Sequence, residues 1–178
     1  MDRYLKIGFL VIVLAIPAAI FIFLRSFGDN RFDVDIFYKD GLKGVPFACV
    51  ESNDQYKIND SILPLDGSNK IVAFKHQPNN AELNNIALRL NETFNGNARV
   101  FCFVQDSIDN QGLNYELIYT DDLTKTSECG FITGNLQKLV LVDKMNRIRG
   151  YYSRDLDEID RLIVELKILF ENDQRDAG

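Results

Sequence analysis

Two apolar runs of strand length, "KIVAF" (70–74) and "ARVFCFVQD" (98–106), flank one amphipathic helix, and that arrangement leaves few folds open. Between them Leu83, Ile86, Ala87, Leu90 and Phe94 recur at i, i+3, i+4, i+7 and i+11, one face of a helix. Asn79 stands three residues before Glu82, the spacing of an N-cap with a capping-box glutamate, and "NGN" (95–97) stops the helix with glycine. Strand, helix, strand predicts a parallel pair joined by a right-handed crossover.

The last third is equally readable. "KLVLVD" (138–143) and "RIRGYY" (147–152), joined by "KMN", predict an antiparallel hairpin with Asn146 as a left-handed turn residue. A final helix begins near Asp155, with Asp157, Glu158 and Asp160 in its first turns and Ile159, Leu162, Ile163, Leu166, Leu169 and Phe170 as its apolar face. Earlier, "VDIFY" (34–38) alternates like a strand, and "VPFACVE" and "YKIND" read as short strands around the turn "SNDQ". Between 107 and 135 the pattern is weak, and "YELIY" fits strand or helix. The order is that of a thioredoxin-like α/β fold, a mixed sheet flanked by helices, here expected on both faces.

The N-terminus adds a separate constraint. From Ile7 to Leu24 the sequence is uncharged, bounded by Lys6 and Arg25. As a helix it spans roughly 27 Å, close to the ~30 Å hydrocarbon core of a bilayer. It is longer than a signal-peptide core and ends in "FIFLRSF" without a small-residue cleavage site, so an uncleaved, single-pass anchor is expected. The expected organisation is a tail (1–6), a transmembrane anchor (7–24), a juxtamembrane linker and extended segment (25–43), a thioredoxin-like domain (44–172) and a charged tail (173–178). Lipid would meet residues 7–24. Basic residues on the two sides of the span nearly balance, and a short N-tail with a long C-terminal domain places that domain on the exported side of the cytoplasmic membrane.

A formal net charge of −6 makes nucleic acid an unsuitable partner. Three cysteines, Cys49, Cys102 and Cys129, form no C-x-x-C or C-x-x-x-C. Free thiols are the expected state. One disulfide with one buried thiol is the alternative, and spacing does not choose the pair.

"KLVLVDKMNRIRGYYSRDLDEIDRLIVELKILF" (138–170) resembles the C-terminal part of Sco/SenC proteins, the membrane-anchored copper chaperones of cytochrome oxidase. "VPFACVESNDQYKINDS" (45–61) and "FITG" (131–134) are similar to two further segments of that family. The resemblance covers about residues 44–172 and implies a thioredoxin-like fold and a role in respiratory complex assembly. It also implies a copper site, built from a C-x-x-x-C at the start of the first helix and a histidine before the final hairpin. This sequence departs there. The cysteine positions fall within Gln77 to Glu82 without sulfur, and only three residues separate "FITGN" from "LVLVD". His76, Gln77, Pro78, Asn79 and Asn80 therefore read as a degenerate site.

His76 is the only histidine, so a Ser-His-Asp or His-rich metal site is excluded elsewhere. His76 and Cys129 are the weak metal candidates, and Cys129 has only Lys125 as a basic neighbour. Asp121, Asp122, Glu128 and the run 155–160 match no EF-hand spacing. "NDS" (59–61) and "NET" (91–93) are glycosylation sequons, a pattern that recurs by chance. The expectation is a non-enzyme without cofactor, acting in cytochrome oxidase assembly by holding other membrane proteins. A stable accessory subunit of a membrane complex is the alternative. A copper or thiol protein using His76 with Cys49 or Cys129 is the third reading.

Overall fold

The computed structural model describes residues 3–27, 32–44, 49, 51–75, 81–106 and 112–176. The chain divides into two units, Met1–Phe32 and Asp33–Gly178. In the first, α1 (Arg3–Phe27) is a 25-residue helix that continues through Pro17. Its described side chains, Gly8, Phe9 and residues 11–23, are exposed, Phe9, Leu14 and Phe21 among them. Among the described residues no helix is long and apolar enough to cross a membrane. The crossing expected at 7–24 is thus not shown.

The second unit is built on β1 (Asn69–Phe74), α2 (Ala81–Phe94), β2 (Ala98–Val104), β3 (Glu116–Tyr119), β4 (Leu139–Val142), β5 (Ile148–Tyr152) and α4 (Leu156–Asp176). A single helical turn, α3 (Leu123–Lys125), runs into a wider π turn at Thr126–Gly130. Five strands lie in the order β3-β2-β1-β4-β5. β1 pairs parallel with β2 and β2 with β3, while β4 is antiparallel to both β1 and β5. This is the mixed, thioredoxin-like sheet that the strand–helix–strand pattern implies.

Because side chains alternate across a strand, the sheet has two cores. On one face Ile71, Ala73, Val100, Cys102, Leu139 and Leu141 meet the stripes of both long helices, Leu83, Ile86, Ala87 and Leu90 of α2 and Ile159, Leu162, Leu166 and Leu169 of α4. On the other, Val72, Phe74, Phe101, Phe103, Val140 and Val142 are covered by Leu42, Ile58, Leu63, Leu123, Phe131 and Ile132. The expectation of helices on both faces needs correction. A stripe fixes that a helix packs, not against which side, and both long helices take the same one.

Two other expectations change. "VDIFY" is not a strand: Phe37 gives one bond to Ile148 O (2.9 Å), and Tyr38 turns left-handed (φ 55°), which ends the extended run. "YKIND" is not one either: Tyr56 N and Ile58 N donate to Tyr38 O and Asn146 O, and Asn59 O accepts from Ile62 N and Leu63 N in a local turn. The ambiguous "YELIY" supplies the edge strand β3. The final helix runs on to Asp176, its Asp173 held by Asn69 and Lys144.

Irregular chain on the second face is fixed by individual bonds. Lys70 is fully buried and reaches Asp66 (3.0 Å), Ser68 O and Asn146 Oδ1. Asn146, left-handed as expected (φ 58°), donates to Leu63 O (2.9 Å) and Asp60. Arg149 of β5 is buried and binds Asp143, Asp33 and Val34 O, which ties the start of the unit to the hairpin. Gly150 is required beside it, because Tyr152 lies across the position a Cβ would fill.

Candidate functional site

In open α/β sheets, ligands gather beyond the carboxyl ends of the parallel strands. Here β1 and β2 end at Phe74 and Val104. The residues singled out from sequence at that end, His76, Gln77, Pro78, Asn79 and Asn80, lie outside the described residues. The groups around the junction are described. Arg154 is almost wholly buried, donates to Phe74 O (3.4 Å) and stands 3.6 Å from the Glu82 carboxylate. Burial and the Arg154 charge both lower the pKa of Lys75.

Cys102 lies beneath them on β2, fully buried. Burial pushes its thiol up to about 11, against the pull of Arg154 and Lys75. Fully buried and with its thiolate disfavoured, Cys102 is a small core hydrophobe, as its mid-strand place suggests.

The chemistry-bearing feature lies on the other face. Cys49 and Cys129 form a disulfide, Cα–Cα 5.4 Å, across 80 residues of sequence, and both residues are half-buried. The expectation of free thiols is overturned for Cys49 and Cys129, while Cys102 is free and buried, which is the alternative of one disulfide with one buried thiol. Also overturned is the expectation of a non-enzyme, which rested on the absence of a cysteine pair. A pair is present, joined as a disulfide. No motif of neighbouring cysteines announces it, because the pairing is long-range. Elimination was the partial signal available: Cys102 sits in the middle of an apolar strand, which leaves Cys49 and Cys129 as the pair.

Local sequence explains how Cys129 is held. Asp122 caps α3 through Lys125 N (2.9 Å), and the chain then widens into the π turn that ends at Gly130. Phe131 follows, fully buried, with its ring 5.1 Å from Phe74 and 5.2 Å from Phe103 at the carboxyl ends of β1 and β2. Ile132 is left-handed (φ 52°), a rare state for a β-branched residue that persists only where the surroundings enforce it. Thr133 N closes the turn on Ser127 O (2.9 Å).

Three tyrosines surround this loop. Tyr56 Oη donates to both Cys129 O and Gly130 O at 2.9 Å, and Tyr151 Oη donates to Phe131 O at 2.8 Å. Tyr38 stands beside both, 3.4 Å from the Tyr151 hydroxyl. Burial and then the Tyr38 hydroxyl push Tyr56 up to about 12, and the same causes raise Tyr151. Both therefore keep their protons at physiological pH.

Copper does not fit the described donors. Positions 77–82 hold no cysteine, Cys102 is buried, and the sulfurs of Cys49 and Cys129 are bonded to each other. Among the described residues no group of three or more His, Cys, Asp or Glu side chains could hold a metal ion. Asp121, Asp122 and Glu128 form no such group.

No family model matches the chain, and no curated protein matches it. Solved structures similar to it include BsSco, a member of the Sco family of cytochrome c oxidase assembly proteins in which a disulfide switch was identified, at 14% identity over 58% of this chain and 80% of that chain (TM-score 0.46). A SCO1/SenC family lipoprotein from Bacillus anthracis shares 14% identity over 79% of this chain and 96% of that chain (TM-score 0.46). A putative protein disulfide isomerase from Bacteroides thetaiotaomicron shares 12% over 64% and 81% (TM-score 0.45). At such identities and TM-scores, no activity, ligand or partner passes from these proteins to this chain.

Proposed function

We propose that this chain is a membrane-tethered, thioredoxin-like redox protein whose working couple is Cys49–Cys129, acting on exported partner proteins during assembly of a respiratory complex such as cytochrome oxidase. The half-buried Cys49–Cys129 disulfide, with Cys129 two residues before the Phe131 ring that packs on Phe74 and Phe103, carries the reading. The tether is supported by the uncharged stretch from Ile7 to Leu24 and by the exposed apolar side chains of α1. Lipid meets residues 7–24, and the domain stands on the exported side of the cytoplasmic membrane, where disulfides persist. The setting in complex assembly draws on the Sco/SenC-like segments at 131–134 and 138–170, with other membrane proteins as partners.

The reaction is thiol–disulfide exchange with a partner dithiol. A partner thiolate attacks one sulfur of the Cys49–Cys129 bond, and the other sulfur leaves as a thiolate and takes a proton. The partner's second thiolate then displaces the mixed disulfide. The partner is oxidised by two electrons, the pair is reduced to two thiols, and the protons balance.

A redox titration of the full chain in mild detergent, read by maleimide trapping, tests the proposal. A midpoint between about −180 and −270 mV, the range of exchange proteins, is the expected result. A midpoint below about −300 mV marks a permanent cross-link and overturns it in favour of a stable accessory subunit.

A further inference from the structure

Three consecutive carbonyls, Cys129, Gly130 and Phe131, accept from two tyrosine hydroxyls distant in sequence, Tyr56 shared by the first two and Tyr151 on the third. We infer that Tyr56 and Tyr151 are positioning residues for Cys129, whose hydroxyls hold its loop in the arrangement that closes the disulfide and so set how readily Cys49–Cys129 is reduced. The inference rests on the redox reading above and names what tunes that couple.

Each hydroxyl has one proton. Tyr151 gives its own to Phe131 O at 2.8 Å, and its hydroxyl stands 3.4 Å from that of Tyr38. Tyr56 divides its proton between two carbonyls at equal distance. The aromatic bodies are fixed in turn: Phe37 meets Tyr151 edge-on at 5.3 Å, and Tyr38 meets Tyr56 at 6.3 Å. Phe131 is wedged against Phe74 and Phe103. The Cys129 side is therefore held without help from the disulfide.

Cys49 is held differently. In sequence it lies between Leu42 and Ser52, which bridge one another with bonds of 2.8 and 3.3 Å. Gly41 (φ 87°) permits that bridge, because a Cβ there would collide with the backbone of Ser52.

The tyrosine bonds and the disulfide restrain the same loop, and each lowers the ordering cost of the other. Such coupling is reciprocal. Removing a hydroxyl must weaken the oxidised form more than the reduced one and make the pair easier to reduce. A hydroxyl that only stabilised the fold would weaken both forms equally and leave the equilibrium where it was.

The test uses the full chain in detergent, with maleimide-trapped redox equilibria in glutathione buffers extended by dithiothreitol. Tyr56→Phe is expected to favour reduction about fivefold, a shift of about 20 mV, and Tyr151→Phe about threefold in the same direction. Tyr152→Phe is the control. It removes a hydroxyl bonded to Glu165 on the helical face (2.6 Å) and is expected to shift nothing. Urea stabilities of the oxidised and reduced forms are measured alongside. Unchanged equilibria in Tyr56→Phe and Tyr151→Phe, with equal stability losses in both forms, overturn the inference. So does an equal shift in Tyr152→Phe. If Tyr56→Phe does not fold, Tyr151→Phe alone decides by the same criterion. A wild-type midpoint below about −300 mV would defeat the redox function while leaving the difference between variants readable in dithiothreitol.

Discussion

The two faces of the sheet are equally dry and are held in opposite ways. Leu90, Leu162 and Leu166 on one face and Leu63, Leu123 and Phe131 on the other are all fully buried. The first face is covered by two helices whose backbone bonds are internal, so packing of an apolar stripe is sufficient. The second is covered by chain with almost no regular pairing, whose polar backbone groups need partners from elsewhere. Tyr56, Tyr151, Asn146 and Lys70 supply those partners, and one covalent bond is added. Irregular cover is costly to order, yet it can hold a cysteine in a loop conformation that no helix offers.

If the faces are as separate as this, damage to one should leave the other's chemistry alone. Leu166→Ala opens a cavity in the helical core and should cost about 3–4 kcal/mol, read by urea denaturation. The Cys49–Cys129 midpoint should not move. A shift of the midpoint in that variant would show that the faces are coupled.

The reverse experiment removes the covalent bond. The double substitution Cys49→Ser with Cys129→Ser should cost about 2–4 kcal/mol, because the cross-link restrains a long loop in the unfolded chain. Amide exchange should quicken in residues 51–63 and 126–133 while α2 and α4 keep their protection. Uniform loss of protection across the unit would contradict the division.

The same division decides what could be read from sequence. β1, α2, β2, the final hairpin and α4 were legible, because each writes its burial as a period: runs of apolar residues for strands, stripes for helices. Asn146 was legible as a turn residue because few side chains tolerate a positive φ. The second face writes no period. "VDIFY" alternates convincingly, but Tyr38 turns left-handed and the ladder never forms. Tyr56 and Tyr151 look like ordinary aromatic residues until folding brings residues 56, 129 and 151 together. The non-enzyme expectation failed for the same reason, since adjacency was the criterion and the cysteines meet across 80 residues. The strand–helix junction at 76–80 is where the sequence concentrated attention, yet the described disulfide belongs to a different loop.

Asn146 offers a smaller test. Its side chain joins Leu63 O, Asp60 and Lys70, and its backbone is left-handed. Asn146→Ala loses those bonds and strains the turn, for about 2 kcal/mol. Asn146→Gly relieves the strain alone and should recover up to about 1 kcal/mol of it. Equal losses in the two variants would place the whole effect in the side-chain bonds.

The smallest effect is a dependence on alkaline pH, and its sign follows from proton binding. Tyr56 is pushed up to about 12 in the folded chain, by burial and then by Tyr38, from an ordinary value of 10. The folded state thus binds the phenolic proton more tightly, so its contribution is complete below pH 10, declines between 10 and 12, and is lost above. Tyr151 and Cys102 are raised and act in the same direction. Lys75 is lowered by burial and by Arg154, so it acts in the opposite direction. Urea midpoints should stay level from pH 7 to about 9.5 and then fall. The overall slope belongs to several groups, so the comparison with Tyr56→Phe assigns it. That variant lacks the phenolic proton and should fall less steeply above pH 10, while Cys102→Ala should remove a separate part of the slope from the helical face. If Tyr56→Phe and wild type lose stability in parallel up to pH 12, the Tyr56 hydroxyl is not buried beside Tyr38 and against the carbonyls of residues 129 and 130 in solution. The irregular face would then have lost the bond that most distinguishes it from the helical one.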